Sequence, residues 1–152
     1  MPNKSKHSSG SPRAPIRSSA AYWILAFVAL LGLADATFLT VAHLTGDDAV
    51  CGSFAGCSAV LGSAYATMKG IPTAAFGAMA YFTVFSLAIL TAFGYARLKR
   101  VLVLMVAAMF MASLYFLYLQ AFVLHAFCPF CLFSAAMTFL LAGTLVALPA
   151  DR

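Results

Sequence analysis

The sequence predicts an all-α membrane protein: a four-transmembrane-helix bundle with an extracytoplasmic cysteine loop and a short interfacial helix. Of its 152 residues, 64% are hydrophobic and only 9% are charged, whereas a soluble domain carries about 25% charged residues. The apolar residues form four runs of about 20, the length that crosses the roughly 30 Å hydrocarbon core of a bilayer. All four cysteines lie in or beside two connections that are expected on one side of that bilayer.

The N-terminal segment, residues 1–19, is polar, rich in Ser and Pro, and basic. Such a segment buries too little apolar surface to fold alone, so we expect a disordered tail. The apolar run that follows, about 22–44, is longer than the roughly 7–15 residues of a signal-peptide core and shows no evident small-residue cleavage site. We therefore expect it to be retained as the first transmembrane helix.

Three further helices are expected at about 71–93, 101–124 and 130–148, within a membrane domain that occupies residues 20–150. Gly70-Ile71-Pro72 marks the start of the second helix, because proline is tolerated in the first helical turn. Short connections between successive helices favour an up-down bundle.

The basic residues predict the orientation, because cytoplasmic loops carry an excess of Lys and Arg. Arg97, Lys99 and Arg100 lie between the second and third helices, on the same side as the basic tail. Both termini are therefore expected in the cytoplasm, and both cysteine-bearing connections outside. The net charge of +5 sits at the ends of apolar runs rather than on one basic face, which argues against a nucleic-acid partner and leaves membrane lipid.

The first outward connection, residues 45–70, contains both a flexible part and a predicted helix. Cys51 and Cys57 bound a stretch of small residues that suits a loop able to move. Between Ser58 and Met68, apolar residues recur on one helical face, as is typical of a short amphipathic helix lying along the interface. Ser58 is a candidate N-cap for this helix.

Cys128 and Cys131 form Cys-Pro-Phe-Cys at the start of the last predicted helix. This spacing places two sulfurs within disulfide reach, and a helix N-terminus stabilises a thiolate. The two cysteine pairs could be structural disulfides facing an oxidising compartment. Alternatively, four thiolates could bind zinc, although the five residues between Cys51 and Cys57 exceed the usual zinc spacing.

A third interpretation is thiol–disulfide exchange, in which a thiolate attacks a disulfide sulfur through a mixed disulfide. Electrons would enter from a soluble partner at the loop pair, Cys51 and Cys57, and leave at the helix pair, Cys128 and Cys131. An acceptor met inside an apolar bundle should be lipid-soluble, and a quinone is the obvious candidate. Asp35, well inside the first predicted helix, is a second functional candidate, since an intramembrane carboxylate is costly. It could line the quinone pocket, help move protons, or be a neutral carboxyl bonded to another helix.

Taken together, these motifs resemble the vitamin K epoxide reductase family, and its bacterial branch most closely. The resemblance extends from Gly32 to Cys131 and rests on the following segments: Gly32–Thr40, Cys51-x5-Cys57 with Ser63 six residues on, Tyr65-Ala-Thr, Gly70-Ile-Pro72 with Gly77, and Cys128-x-x-Cys131.

The resemblance implies a four-helix bundle around a quinone, either ubiquinone or menaquinone, with the loop and short helix capping the pocket. It implies an enzyme of the inner (plasma) membrane that re-oxidises a thioredoxin-like (DsbA-like) dithiol protein in the periplasm or exterior, supporting disulfide bond formation. By position, Cys51 would exchange with that partner, Cys57 would shuttle to Cys128, and Cys131 would face the quinone. Ser63 matches a serine or threonine that supports reduction in the family.

This chain also departs from the family pattern. Many bacterial members carry a fused thioredoxin-like domain after the bundle, whereas this sequence stops at Arg152, so we expect a separate partner protein. Ala135 stands where vertebrate members have a tyrosine, and Thr73 falls near the position of their second-helix asparagine. Quinone epoxide reduction is therefore not supported, and Thr73 and Asp35 join Cys131 as candidate quinone contacts, with no metal. The alternative function is a four-helix membrane binding or transport protein with structural disulfides.

Overall fold

The structure is a computed structural model that describes residues 16–46, 51–52 and 55–148. Within these residues the chain forms five α-helices, two short strands, one 3-10 turn and one π-helical turn. They are α1 (Ile16–Thr45), α2 (Ala55–Leu61), the 3-10 turn (Ala64–Ala66), β1 (Thr67–Met68), β2 (Ile71–Pro72), α3 (Thr73–Ala92), α4 (Leu98–Tyr118), the π-turn (Leu119–Val123) and α5 (Pro129–Ala147).

Four of these helical segments are long and apolar enough to cross a membrane. They are α1 from Ser19 onward, α3, α4 together with the π-turn, and α5, with lengths of 27, 20, 26 and 19 residues. Their outer faces carry many exposed large apolar side chains, Val146 at 86% exposure among them. Since such a surface suits lipid rather than water, the protein is a multi-pass membrane protein. The predicted all-α bundle of four membrane helices is confirmed.

The helix boundaries differ from the predicted ones by a few residues. Helix α1 begins at Ile16, within the segment predicted to be a disordered tail; residues 1–15 of that tail lie outside the described residues. Helix α3 begins at Thr73, because Ile71 and Pro72 pair with β1 instead of joining the helix. Pro72 is thus the residue before α3 and not part of its first turn.

The short helix predicted from Ser58 to Met68 is wrong in its extent. Helix α2 begins earlier, at Ala55, so that Ser58 lies inside it and is not its N-cap. The helix ends at Leu61 because the Ser63 hydroxyl and the Ser63 amide both donate to the Val60 carbonyl oxygen, at 2.7 and 3.2 Å. Side-chain bonds of this kind compete with continued helix.

A two-stranded hairpin follows the 3-10 turn. Thr67 is paired with Pro72 and Met68 with Ile71. The two residues between the strands, Lys69 and Gly70, both have positive φ, +53° and +84°. Positive φ at both central residues is what a tight type I′ hairpin turn requires. The hairpin leads the chain from the 3-10 turn directly into α3.

The bundle core is built from side chains of all four long helices. Leu25, Val84, Leu102 and Leu141 are fully buried within one apolar cluster. Helix α1 packs against α3 and α5, and α4 packs against α3 and α5. Because successive helices alternate in direction, the C-terminal ends of α1 and α4 and the N-terminal ends of α3 and α5 share one end of the bundle. Both cysteine pairs lie at that end, and the basic α3–α4 connection lies at the other.

Candidate active site

The two cysteine pairs meet in one buried cluster at this end of the bundle. Cys51 is 2% exposed, and Cys57 and Cys128 are 0% exposed. These three pack together, with Cys131 at the edge of the cluster. Cys51 and Cys57 form a disulfide with their Cα atoms 5.5 Å apart, while Cys128 and Cys131 are free thiols. The structure therefore joins an oxidised loop pair to a reduced helix pair.

A close backbone approach between Gly56 and Phe127 holds the two pairs together. A Cβ atom added at Gly56 would collide with the carbonyl oxygen of Phe127 and press tightly against its carbonyl carbon and amide nitrogen. Backbone atoms cannot swing aside as a flexible side chain can, so only glycine allows this approach. Each of the two residues directly precedes a cysteine, Cys57 or Cys128. The contact thus sets the position of α2, and of the loop disulfide, against the start of α5.

Cys128 is the N-cap of α5 and Pro129 occupies the first helical position. The Cys128 amide donates to Oε1 of Gln120 at 3.0 Å, and the Gln120 carbonyl oxygen accepts from the Ala126 amide at 3.1 Å. Gln120 is almost fully buried and lies in the π-turn, a rare conformation that is frequent at functional sites. Gln120 therefore fixes the turn that leads into the helix cysteines through both its side chain and its backbone carbonyl group.

Cys128 is the more readily ionised thiol of its pair. The hydrogen bond from the Cys131 thiol lowers the pKa of Cys128 to about 7, from an ordinary value of 9.0. Burial acts in the opposite direction, and the backbone amides of Cys131 and Phe130 assist the lowering. A thiolate is the attacking species in disulfide exchange. Cys128, packed against Cys57, is thus suited to exchange with the loop pair.

A cavity of about 390 Å³ lies inside the bundle beneath the cap formed by α2 and the 3-10 turn. Cys131 lies on its wall, together with three other residues that the sequence singled out: Asp35, Ser63 and Thr73. Cys51, Cys57 and Cys128 are not part of this wall. The helix pair is consequently divided, because one of its sulfurs packs against the loop disulfide and the other borders the cavity.

The Ser63 hydroxyl bonds within the cap, and the Thr73 hydroxyl links the cap to α3. The Ser63 hydroxyl donates to the Val60 carbonyl oxygen at 2.7 Å. The Thr73 hydroxyl donates to the Tyr65 carbonyl oxygen at 3.0 Å, linking the start of α3 to the 3-10 turn. Each hydroxyl proton is thus used within the protein, while each oxygen remains an acceptor at the cavity wall.

Tyr81 forms a junction between three helices that the sequence alone did not reveal. Its hydroxyl contacts the carbonyl oxygen and Oγ of Ser134 at 2.7 and 3.0 Å, and Oγ1 of Thr138 at 2.9 Å. Its ring packs on Gly32 of α1 so closely that a Cβ there would clash with the ring. A tyrosine within an apolar run was the available sequence signal, since buried tyrosines usually bond through their hydroxyl. Gln120 is likewise a polar residue within an apolar run, the next one along the chain.

Asp35 brings a carboxyl group to the cavity wall. Its Oδ2 atom is buried, and among the described residues it is the only buried side-chain nitrogen or oxygen without a hydrogen-bond partner. Of the alternatives left open by the sequence, a neutral carboxyl bonded to another helix is not what the structure shows for this oxygen atom.

The cavity has the character of a site for an organic molecule. Ligand sites are mostly apolar pockets of roughly 300–1,000 Å³ with a few polar groups that orient the ligand. This cavity is lined largely by apolar side chains, and its polar atoms come from a small set that includes Asp35, Tyr81 and Cys131. In the part of the chain that the structure describes, no group of three or more His, Cys, Asp or Glu side chains could hold a metal ion.

Comparison with known protein families agrees with this site. The model of the vitamin K epoxide reductase family matches residues 23–146, which is most of the chain and includes all four cysteines. The resemblance noted in the sequence is thereby confirmed at the level of the family.

Proposed function

The chain belongs to the vitamin K epoxide reductase family, and we propose that it passes electrons from a dithiol protein outside the membrane to a quinone within it. Family membership and the cysteine cluster make it a membrane oxidoreductase of thiols and disulfides. The observation that carries the finer proposal is the division of the helix pair. Cys128 packs against the loop disulfide, whereas Cys131 borders the cavity.

The first exchange is with a separate thioredoxin-like (DsbA-like) protein. A partner thiolate attacks the Cys51 sulfur, so that the Cys51–Cys57 bond breaks and Cys57 leaves as a thiolate. The partner's second thiol then breaks the mixed disulfide and leaves Cys51 reduced. The partner is released with a disulfide, and the loop pair has gained two electrons.

The second exchange is within the chain. The Cys57 thiolate attacks Cys128 of an oxidised Cys128–Cys131 pair, a Cys57–Cys128 bond forms, and Cys131 leaves as a thiolate. Cys51 then attacks Cys57, which restores the loop disulfide and releases Cys128 as a thiolate, while Cys131 takes up the proton that the Cys51 thiol loses. The Gly56–Phe127 contact supports this step, because it keeps Cys57 and Cys128 in one buried cluster. An oxidised loop pair beside a reduced helix pair, the arrangement in the structure, is the product of this exchange.

The residues around the cavity fit a quinone ring. A bound quinone, ubiquinone or menaquinone, would supply the acceptor for two electrons and two protons. Cys131 presents its sulfur at the wall, and the apolar lining excludes water from the site of electron transfer. Asp35 and Thr73 offer polar atoms at the same wall, and Ser63, which ends α2 with its own hydroxyl, lies there too.

The orientation follows from the same proposal. The cysteine end would face the periplasm or exterior of an inner (plasma) membrane, the side on which a secreted dithiol protein meets the connection that carries Cys51. Arg97, Lys99 and Arg100, at the opposite end, would lie in the cytoplasm with both termini, as the positive-inside rule predicts. Labelling single introduced cysteines in the α3–α4 connection with a membrane-impermeant reagent tests this, and labelling from outside intact cells would contradict it.

The test of the relay is anaerobic reduction of ubiquinone-1 by the purified protein, supplied with a reduced DsbA-like dithiol protein. Wild type is compared with Cys57→Ser and Cys131→Ser. We expect turnover in wild type, none in Cys131→Ser, and loss of activity toward the protein substrate in Cys57→Ser. If wild type shows no quinone reduction, or neither substitution slows it, the cysteines are structural and the alternative of a binding or transport protein stands.

A further inference from the structure

We infer that Asp35 is the proton donor for the quinone that accepts electrons from Cys131, a role that rests on the proposed function. The first observation is the unpartnered carboxyl oxygen described above. Buried polar atoms in native proteins are almost always hydrogen-bonded, and an exception calls for a specific explanation. Because Asp35 is one of the residues that line the cavity, a molecule bound there lies beside this carboxyl group.

The second observation is the electrostatic surroundings of this carboxyl. The titratable side chains that share the cavity wall are His43 on its own helix, Tyr65 on the 3-10 turn, Tyr81 on α3 and Cys131 on α5; helix α4 contributes none. No Lys or Arg of the described residues lines the cavity. A carboxylate inside a membrane helix without a cation is costly, so these surroundings favour the acid form, which can donate a hydrogen bond and then a proton.

The third observation is the junction that ties the carboxyl to the reacting thiol. Gly32, one helical turn before Asp35, packs on the Tyr81 ring. The Tyr81 hydroxyl bonds to Ser134, one helical turn after Cys131. Tyr81 is therefore a positioning residue that sets α1 against α5. It keeps the carboxyl and the thiol on the wall of one cavity.

The proton count shows why a donor besides the thiols is needed. Reducing a quinone to a quinol takes two electrons and two protons. Above the pKa of Cys128, the reduced pair consists of one thiolate and one thiol, and it holds only one proton. As the Cys128–Cys131 bond forms, the two sulfurs release two electrons, Cys131 gives up its thiol proton, and Asp35 gives up its carboxyl proton. Asp35 ends as a carboxylate and then regains a proton from solution. This proton replaces the one that Cys128 lost to solution when it ionised, so the step balances.

The experiment uses the full-length protein and separates this step from the earlier exchanges. Asp35→Asn keeps the size and a hydrogen-bond donor but cannot release a proton, and Asp35→Glu keeps the acid. The control is Thr37→Val on the same helix, because the Thr37 hydroxyl bonds only to the Leu33 carbonyl oxygen and does not line the cavity. Reduction of the loop pair by a dithiol protein is followed without quinone by counting alkylated thiols. Ubiquinone-1 reduction is then measured from below to above the pKa of Cys128.

In Asp35→Asn, we expect the dithiol protein to reduce the loop pair at the wild-type rate. Above the pKa of Cys128, the variant should reduce ubiquinone-1 about 100-fold or more slowly than wild type, since a positioned proton donor contributes about 10²–10⁴-fold. Asp35→Glu should recover much of the rate, and Thr37→Val should match wild type. A second readout needs no turnover. In the non-reacting Cys131→Ser protein, adding ubiquinone-1 should shift the infrared band of a protonated carboxyl, and the shift should vanish in Cys131→Ser/Asp35→Asn.

The outcomes separate the two proposals. If wild type reduces its loop pair but never ubiquinone-1, the proposed function fails and the role of Asp35 fails with it. If wild type turns over while Asp35→Asn matches it at every pH, or no carboxyl band responds to ubiquinone-1, the inference about Asp35 alone is overturned. If Asp35→Asn does not fold, the infrared response of the Cys131→Ser protein decides.

Discussion

Gly56→Ala should separate the two cysteine pairs without touching a sulfur atom. The added methyl group would collide with the Phe127 backbone, which cannot turn aside as a side chain can. The two segments must therefore move apart by on the order of 1 Å before the methyl group fits. A misplacement of about 1 Å in a reacting geometry can cost about 100-fold in rate. Overpacking of this kind also costs about 1–3 kcal/mol of unfolding free energy.

The assay follows each exchange separately. Reduced dithiol protein is mixed with fully oxidised enzyme, the reaction is stopped by alkylation, and mass spectrometry reports which cysteines are reduced. We expect the loop pair of Gly56→Ala to be reduced at nearly the wild-type rate, while transfer to Cys128–Cys131 slows by about 10- to 100-fold. Gly143→Ala is the matched control, because nothing lies within 4 Å of the Cβ that it adds. It should leave both rates unchanged.

Two results would refute this reasoning. If Gly56→Ala transfers electrons to the helix pair as fast as wild type, the Gly56–Phe127 approach does not set the reacting distance. If both exchanges slow equally, the substitution has disturbed the whole cap, and the contact has no specific part in the second exchange. Thermal unfolding of both variants shows how much of any change is a general loss of stability.

Three further substitutions or conditions test other parts of the site. Tyr81→Phe keeps the ring but loses the hydroxyl contacts to α5, so we expect the free energy of unfolding to fall by about 1–2 kcal/mol in thermal unfolding. The control, Ser86→Ala, removes a hydroxyl that bonds only within α3 and should lower the free energy of unfolding by less. Gln120→Leu leaves the buried Cys128 amide without its acceptor, which should cost about 1–3 kcal/mol and slow exchange at Cys128 more than reduction of the loop pair. The ultraviolet absorbance of the Cys128 thiolate should rise with pH around a midpoint of about 7, because the Cys131 thiol stabilises the thiolate. In Cys131→Ala the midpoint should move up toward 9.0. Folding lowers the pKa of Cys128, so its ionisation stabilises the folded protein above the ordinary thiol pKa, and this stabilisation is lost as the pH falls through about 7. An unchanged midpoint in Cys131→Ala would show that the Cys131 thiol is not what lowers the pKa of Cys128.

The apolar runs and the alternating charge of the connections were enough to predict the fold. Each long helix lies within a few residues of its expected place, because a run of about 20 apolar residues has few alternatives in a bilayer. The cap was harder to predict. Its apolar spacing favoured one helix from Ser58 to Met68, but Ser63 ends α2 with its own hydroxyl and the Lys69-Gly70 turn starts a hairpin. Such local bonds are invisible to a pattern that records only apolar spacing.

The candidate site was predictable in its sulfur atoms and not in what holds them. Cysteines are rare enough that four of them in two connections at one end of the predicted bundle indicate a shared site. By contrast, Tyr81 and Gln120 act through partners far away in the sequence, Ser134 and Cys128, and nothing local to either residue indicates those partners. Both residues are polar within an apolar run, which marks them as candidates. Only the fold shows which helix each one bonds to.

The different surroundings of Cys128 and Cys131 can be traced to Pro129. Residues three apart on a helix share one face, so a helix that included both cysteines would present them to the same surroundings. A proline keeps the residue before it out of the helical region, and Cys128 accordingly has φ −93° and ψ 119° and caps the helix from outside. The Cys128 amide instead donates a hydrogen bond to the side chain of Gln120. Cys128 is thereby left beside the loop disulfide, while Cys131, within α5, borders the cavity. Replacing Pro129 by alanine should therefore let α5 extend toward Cys128 and slow transfer from the loop pair, with little effect on how the dithiol protein reduces that loop pair.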